Sequence, residues 1–527
     1  MDISQVLQNG ETTNIEFKST LNSEHLEKDR KERLISQMKY RLDSGKGKAY
    51  YILGVFDDGT PCGATKKELR ETLTIIKKTA QEADAQVTHV EPFDDGQFMR
   101  VTIQREGKDR KKHLIVGTIG HVDHGKSTLL GSLTTGTPDD GRGKTRVFSD
   151  FLPHEIERGL SAELSHLIYG FTDRGEPLYM RNPLDKKEMA HLIDECHKFI
   201  SFVDCPGHAP WLRTTIRGVL GQKIDYALLT VASEDGVTPI TKEHLGIAFG
   251  MKYPVIAAIT MVDKVSKERI KSVEKDLSSL IRKVGHIPYS IKDTEDVNII
   301  ANKVADGFIV PIIKTSAVTM EGMGILSHLL YKLPSTATEE EYTRPFLLYI
   351  DKVFSVRGVG TVITGTVNEG VVKKGQDLLL GPLKGEFKKV RALSIMQHHY
   401  LMNQASVGDL IGIAIKGVKH EDIKRGMVVT DADADTVKAA REFEAEVLIL
   451  NHPTRIKEGY EPIIHLRTIS ESAKFVNIYD REFLCTGDMA RVKVRFKYKP
   501  HFIREGDQFL FRESRSKGLG GITKVYY

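Results

Sequence analysis

The chain has 527 residues, 40% of them hydrophobic and 28% charged, with a formal net charge of +5 and four cysteines. That length accommodates about three to five domains, and the hydrophobic share is that of an ordinary globular protein. No run of about 18 apolar residues is present to cross a membrane, and the opening Met1-Asp2-Ile3-Ser4-Gln5 lacks a basic-then-apolar leader pattern, so the expected location is cytoplasmic. Cys62, Cys196, Cys205 and Cys485 stand apart with no Cys-x-x-Cys pair, which argues against a zinc knuckle or a disulfide framework. The mild positive charge permits a nucleic-acid partner without requiring one, so any such argument has to be local.

In chain order, residues 1–110 read as a small α+β domain. Asn14 to Lys18 predicts a strand, and Leu26 to Asp43 a helix, with Leu34, Met38 and Leu42 at four-residue spacing and Ile35 beside them. Ala49 to Phe56, followed by Asp57-Asp58-Gly59, predicts a strand running into a hairpin turn. A second helix over Lys66 to Ala83 precedes strands near Gln86–Val90 and Phe98–Ile103. No catalytic constellation stands out here; an adaptor role and a purely supporting role both fit.

Arg105 to Lys112 is a charged linker into a second domain, residues 111–335. Its strand candidates, Ile200–Val203, Tyr226–Val231, Pro254–Thr260 and Phe308–Ile313, are nearly continuous in apolar character, the pattern of a parallel sheet buried on both faces in an α/β domain. Ligands of such sheets bind at the carboxyl ends of the strands.

The first strand, His113 to Ile119, ends in Gly120-His121-Val122-Asp123-His124-Gly125-Lys126-Ser127, with Thr128 opening a helix. Gly, four residues, then Gly-Lys-Ser in a strand–loop–helix context is a phosphate-binding loop. Its amides and the helix dipole cradle phosphates, Lys126 reaches the β- and γ-phosphates, and the Ser127 hydroxyl ligates Mg²⁺. Asp204-Cys205-Pro206-Gly207 closes the next strand, offering a carboxylate for Mg²⁺ and a glycine N–H for the γ-phosphate; His208 follows, placed to orient the attacking water. Thr260-Met261-Val262-Asp263 ends another strand, and Asp263 can accept from N1–H and the exocyclic amine of guanine, a donor pair adenine lacks. Lys264 lies just beyond, and Thr315-Ser316-Ala317 can offer backbone N–H to the guanine carbonyl.

In these motifs the sequence resembles the translational GTPases of the elongation factor Tu class. Gly120–Ser127, Asp204–His208 and Thr315–Ala317 look like that class's first, third and fifth guanine-nucleotide motifs, and Arg158-Gly159-Leu160-Ser161 like its switch I, with Ser161 where a magnesium-ligating threonine is usual. Thr260 and Met261 depart from the usual Asn-Lys pair; Met261 can pack over the base in place of the lysine stem. Gly141-Arg142-Gly143-Lys144, His154 to Gly159, the long segment Thr172 to His197, Phe511 to Lys517, and in the N-terminal domain Gln37–Leu42 with Gly54–Gly59, are similar to the family of GTP-binding proteins 1 and 2. The resemblance covers nearly the whole chain. It implies a monomeric, magnesium-dependent GTPase, binding GTP and GDP, whose turnover is slow until the ribosome or an RNA stimulates it. Val122 and Leu160 look like the apolar pair that gates the histidine.

After a polar linker, Pro334 to Pro345, short strands and turns suggest a β-barrel over residues 346–431 and a second over 438–527, resembling the second and third domains of elongation factor Tu. In the last, Arg491, Lys493, Arg495, Lys497 and Lys499 alternate with Val492, Val494, Phe496 and Tyr498, so a period of two puts the cations on one face. A phosphate backbone across that face and a solvated barrel face both fit; Arg512, Arg515 and Lys517 extend it. Two functions follow: a ribosome-stimulated GTPase that delivers or inspects tRNA in elongation, rescue or surveillance, and a GTP-gated RNA-binding adaptor linking messenger RNA to a decay machine. A GTPase partner of a sulfate-activating enzyme fits the N-terminal domain poorly, and an initiation-factor γ subunit lacks its expected cysteines.

Overall fold

Two helices of the first unit, Met1–Arg110, owe their packing to the spacing seen in the sequence. A computed structural model describes residues 3–45, 48–83, 85–93, 96–105, 111–148, 165–205, 221–431, 433, 436–513 and 516–527. In this unit β1 (Ile15–Lys18), β2 (Lys48–Leu53), β3 (Ala85–Phe93) and β4 (Phe98–Arg105) form a sheet in the order β1-β2-β4-β3. The helices α2 (Lys28–Ser44) and α3 (Lys66–Glu82) lay Met38, Leu42, Leu69 and Ile76 on Tyr51, Leu53, Val101 and Ile103, and α1 (Ile3–Asn9) sets Val6 on a smaller cluster around Phe17. Thr65 and Glu68 close the start of α3 reciprocally, the hydroxyl accepting from one amide while the carboxylate accepts from the other. The buried Glu16 is satisfied by Lys18 at 2.6 Å, Gln37 at 2.5 Å and Arg41 Nε at 2.6 Å.

The tight turn expected after β2 forms, but no returning strand follows it. Phe56 N–H and Gly59 N–H close a turn, with Gly59 in the left-handed region, but the chain then makes only one bridge, Val55 to Pro61, before entering α3. Both edges of β2 are already occupied, by β1 in parallel and β4 antiparallel, so no returning strand can join it.

The second unit, Lys111–Tyr527, begins with an eight-stranded sheet. Its strands are β5 (Lys112–Gly120), β6 (Ser165–Phe171), β7 (Pro177–Leu178), β8 (Lys198–Asp204), β9 (Tyr226–Ala232), β10 (Val255–Thr260), β11 (Ile287–Ser290) and β12 (Ile309–Lys314), in the order β11-β12-β10-β9-β5-β8-β6-β7. Six strands are parallel, as their apolar runs require: every residue of β8, β9 and β10 is buried. The sheet is mixed rather than wholly parallel, because β6 pairs antiparallel with β8 and β7 folds back on β6. Helices α4 (Lys126–Thr135), α8 (Thr294–Val304) and α9 (Met323–Lys332) cover one face through Leu130, Ile300 and Leu326. On the other face lie α6 (Pro239–Gly250) and α7 (Lys267–Lys283), through Leu245 and Leu277; the remaining helix α5 (Lys186–Glu195) precedes β8. At the start of β8 the buried Lys198 ammonium spends its donors on the carbonyls of Leu330, Tyr331 and Leu333, capping the end of α9.

Two barrels follow. In the first, Leu347–Tyr349 pairs with both Val428–Thr430 and Gly360–Glu369, closing six strands into a ring. The second closes through Glu442–Asn451 and Ser516–Tyr526 and is filled by Phe443, Phe475, Phe496, Phe509 and Phe511. The linker between sheet and barrel holds a short helix, Glu339–Thr343, capped by Thr338. Closed rings leave no free strand edge, so each barrel meets its neighbours through side chains.

Those meetings are polar and specific. Glu369 of the first barrel accepts from both guanidinium nitrogens of Arg504 in the second, each at 2.8 Å, and from Arg344 at 3.1 Å. His398, at the tip of the hairpin formed by Glu386–Gln397 and Tyr400–Met402, reaches Ser201 on β8 at 2.8 Å, while His113 on β5 holds the same hydroxyl at 2.7 Å. One hydroxyl between two imidazoles can donate to one and accept from the other, and burial and the neighbouring His113 hold His398 well below its ordinary pKa.

Candidate guanine-nucleotide site

The loop from Gly120 to Lys126 joins the carboxyl end of β5 to α4, and backbone geometry dictates its glycines. Gly120 has φ 144°, and a Cβ there would lie 2.6 Å from both the carbonyl and the hydroxyl of Thr230; Gly125 has φ 73° at the start of the helix. Asp123, at φ 60°, accepts the same left-handed region that Asp tolerates better than most residues. Lys126 is buried, and its ammonium lies over the loop's own carbonyls, 2.8 Å from His121 O and 3.4 Å from Gly120 O. A cation folded back over a ring of amides makes the concave positive surface that a phosphate chain requires.

Beside it stand the two residues expected to hold Mg²⁺. Ser127 Oγ donates to Asp204 Oδ2 at 2.7 Å, and Thr118 Oγ1 donates to Asp204 Oδ1 at 2.6 Å, with Asp204 at the last position of β8 and 1% exposed. A hydroxyl and a carboxylate oxygen converging at the mouth of the loop are the hard donors Mg²⁺ takes, with phosphate oxygens and water completing the shell. Among the described residues no group of three or more His, Cys, Asp or Glu side chains is arranged to hold a metal by itself. The other residues expected to act here, Gly207, His208, Leu160 and Ser161, lie outside the described residues.

Two histidines brace the loop from below. Gly120 N–H donates to His244 Nδ1 on α6 at 3.0 Å, and burial, with Lys126 nearby, pushes His244 down to about 3. His124 packs at 0% exposure with Nδ1 3.2 Å from Thr230 O, and burial lowers it to about 4. Both are neutral supports near neutral pH, and neither is an acid or base. His244, Thr118 and Thr230 were not picked out from the sequence; a lone His in a helix and two strand threonines carry no motif.

The base side of the groove is built from strand ends. Thr260 Oγ1 donates to His124 O at 2.9 Å, tying the end of β10 to the phosphate loop; Met261 stands at φ 57° and its methyl lies 3.2 Å from a Cβ built on Gly125. Met261 and Asp263 line a groove with Thr260 and Ala317. Ser316 is buried, its hydroxyl accepting from Val318 N–H and Thr319 N–H, so it shapes the turn that presents Ala317. Lys264 lines the rim but turns toward Glu234 at 3.5 Å, an exposed pair.

The cationic stripe forms in part as expected. Arg491, Lys493 and Arg495 share one face of Met489–Phe496, with Val492, Val494 and Phe496 inward; the strand ends at Phe496, and Tyr498 is exposed rather than inward, leaving Lys497 and Lys499 beyond the ladder. Directly opposite stand Glu446, Glu444 and Glu442 of the neighbouring strand. Glu442 pairs with Lys493 at 2.9 Å and with Arg495, and Glu461 pairs with Lys497 at 2.8 Å. The self-repulsion that would call for a polyanion is therefore already relieved within the barrel.

A loop of phosphate-binding form at the end of β5, a hydrogen-bonded Ser127–Asp204 pair beside it and a groove lined by Asp263, joined to two closed barrels, define a P-loop nucleotide-binding protein. Residues 111–350 match the model of the elongation factor Tu GTP binding domain, 360–430 that of elongation factor Tu domain 2, and 436–526 that of the elongation factor Tu C-terminal domain. The chain is 32% identical to GTP-binding protein 1 of Xenopus laevis over 93% of this chain and 76% of that protein. It is 30% identical to GTP-binding protein 2 of Homo sapiens, over 98% and 87% of the two chains. With elongation factor 1-alpha of Methanothermobacter thermautotrophicus the identity is 32%, over 73% and 89%. A solved bacterial selenocysteine-specific elongation factor, EF-Sec, shares the fold at TM-score 0.57 and 23% identity, over 78% of this chain and 58% of that one. The chain belongs to the elongation factor Tu family of translational GTPases, within which it groups with GTP-binding proteins 1 and 2. As a member it binds and hydrolyses GTP.

Proposed function

We propose that this chain is a GTP-driven switch that acts with the ribosome and a tRNA, in elongation, rescue of stalled ribosomes or messenger-RNA surveillance. One observation carries this reading. Asp204, bonded to Ser127 at the phosphate end, is joined by residues 205–220 to Gln222 and Lys223, which are fastened to the first barrel and its linker. Gln222 O accepts from Thr366 Oγ1 at 2.9 Å, its amide donates to Asp351 at 3.2 Å, and Lys223 Nζ donates to Glu341 at 2.8 Å and to Asn368 O at 2.7 Å. The chain that leaves the phosphate end at Cys205 is therefore held to the barrel where it returns at Gln222 and Lys223, which supports a coupling between the two.

Hydrolysis is read as in-line attack of water on the γ-phosphate. Lys126 and the loop amides stabilise the charge on the transferring group, and His208 orients the water. Ser127, Asp204 and Ser161 are the residues that would hold Mg²⁺, which when bound neutralises the β- and γ-phosphate oxygens. Asp263 selects guanine, and Ala317 faces its carbonyl.

The test is tRNA retention in the two nucleotide states. Aminoacylated tRNA protected from deacylation by the GTP form and released by the GDP form supports a carrier or inspector. Equal retention of unstructured RNA in both states, with no preference for aminoacylated tRNA, moves the function to the adaptor that links messenger RNA to a decay machine.

A further inference from the structure

The loop between α4 and residue 145 is built with more care than a connection needs. Asp139 is 5% exposed and accepts four hydrogen bonds: from Gly141 N–H at 2.8 Å, Gly143 N–H at 3.0 Å, Thr145 N–H at 2.9 Å and the Thr145 hydroxyl at 3.0 Å. Burial works to raise this carboxyl, but the bonds from Thr145, Gly143 and Gly141 outweigh it and hold the group below the usual range. Gly141 and Gly143 stand at φ 80° and 84°, so the carboxylate and the two glycines together fix one loop shape.

Three contacts tie that shape to the nucleotide groove. Asp139 N–H donates to Ala317 O at 2.9 Å. The Thr145 hydroxyl, whose proton is shared with Asp139, also lies 3.1 Å from Thr128 O, in the first turn after the phosphate loop. Gly131 lets the loop lie against α4, since a Cβ there would sit 2.0 Å from Thr145 O. Asp139, Gly141 and Gly143 line the same groove as Met261, Asp263 and Ala317. Here too the usual base-clamping lysine is missing, replaced by Met261.

We propose that the Asp139–Gly143 loop is a wall of the base site, and that Asp139 is a positioning residue which holds Ala317 against the 6-carbonyl of guanine. This rests on the guanine reading of the groove. Asp139 acts through the loop: replace one carboxylate oxygen by an amide NH2, and either Gly141 and Gly143 or Thr145 lose their acceptor, the loop relaxes, and the Ala317 backbone loses its brace. The effect falls on recognition of the ring's sixth position, which Asp263 does not touch, and on nucleotide affinity rather than on phosphate chemistry.

The experiment uses the full chain and two probes, GDP and 6-thio-GDP, which differ only at that position, with GTP turnover alongside. In Asp139→Asn the KM for GTP should rise about tenfold with kcat at saturation within about twofold, and the preference for GDP over 6-thio-GDP should shrink. Gly131→Ala, which pushes the loop away without altering Asp139, should reproduce both effects and guards against a folding defect in the first variant. Equal loss of affinity for both nucleotides, or no loss, overturns the proposal. The guanine reading is tested separately by the unaltered chain and Asp263→Asn: an unaltered chain that binds GDP and ADP alike ends both ideas, whereas a shift of Asp263→Asn from guanine toward xanthine with Asp139→Asn silent ends only this one.

Discussion

Ser127 and Asp204, 77 residues apart in the chain, share a 2.7 Å hydrogen bond at the mouth of the phosphate loop. Asp204 ends β8 and Ser127 begins α4 after β5, and Thr118 on β5 holds the second carboxylate oxygen at 2.6 Å, so the carboxylate is aimed before any nucleotide arrives. Asp204→Asn should weaken GDP binding in magnesium by about ten- to a hundredfold, and the remaining binding should be indifferent to EDTA. Titration of a fluorescent GDP with and without chelator checks both; a variant that still responds to EDTA as the parent does would show the carboxylate is not a ligand.

His244 reports on the loop from the opposite side. His244→Ala leaves the buried Gly120 N–H without its acceptor, a cost of about 1–3 kcal/mol, and should speed GDP release accordingly. Stopped-flow release of labelled GDP measures it, and an unchanged rate would assign the contact to folding alone.

The same histidines set an acid limit. Burial lowers His244 to about 3 and His124 to about 4, both below the 6.5 of an unfolded histidine. The unfolded chain therefore binds more protons in that interval, so the stabilisation is complete above about pH 6.5 and is lost as pH falls toward 4 and then 3. Urea midpoints should drop over that window, and His244→Gln should flatten the drop.

The barrel–barrel joint is predicted to be brittle. Glu369 sits between Arg504 and Arg344 with its side chain 8% exposed. Glu369→Ala should cost about 2–3 kcal/mol, below the roughly 3–5 kcal/mol of breaking a fully buried pair because both arginines are partly solvated. Denaturant unfolding checks the figure, and a loss under about 0.5 kcal/mol would mark the pair as ornamental.

On the cationic stripe the two properties should separate. Replacing Arg495 and Lys497 by Ala removes exposed pairs, so stability should shift by less than about 1 kcal/mol and GTP affinity should stay put. If the face meets RNA, binding weakens and its salt dependence flattens. RNA affinity unchanged across a salt series would leave the stripe as a cross-strand ion ladder and nothing more.

How far the sequence carries can be read from these residues. The phosphate loop, Asp204, Thr260 and Asp263 were legible because each is a short string at the end of an apolar strand, and strand order alone brings them together. Glu442, Glu444 and Glu446, the acidic partners of the stripe, were not singled out in the sequence, because which strand they lie beside depends on barrel closure, which no local pattern encodes. The antiparallel β6 was missed because an edge strand is set by its partner β8 and not by its own run. Gly141-Arg142-Gly143 was noticed as a family resemblance, yet its link to Ala317 is a main-chain contact that no side chain announces. His208 and Ser161 were named from the sequence, and their contribution is a matter for kinetics.

The most direct measurement is single-turnover GTP hydrolysis with and without ribosomes, for the parent chain and His208→Ala at equal GTP occupancy. A ribosome-stimulated switch predicts strong acceleration by ribosomes in the parent, its loss in His208→Ala, and the same GTP affinity in both. Tight GTP binding with no acceleration in the parent would contradict it.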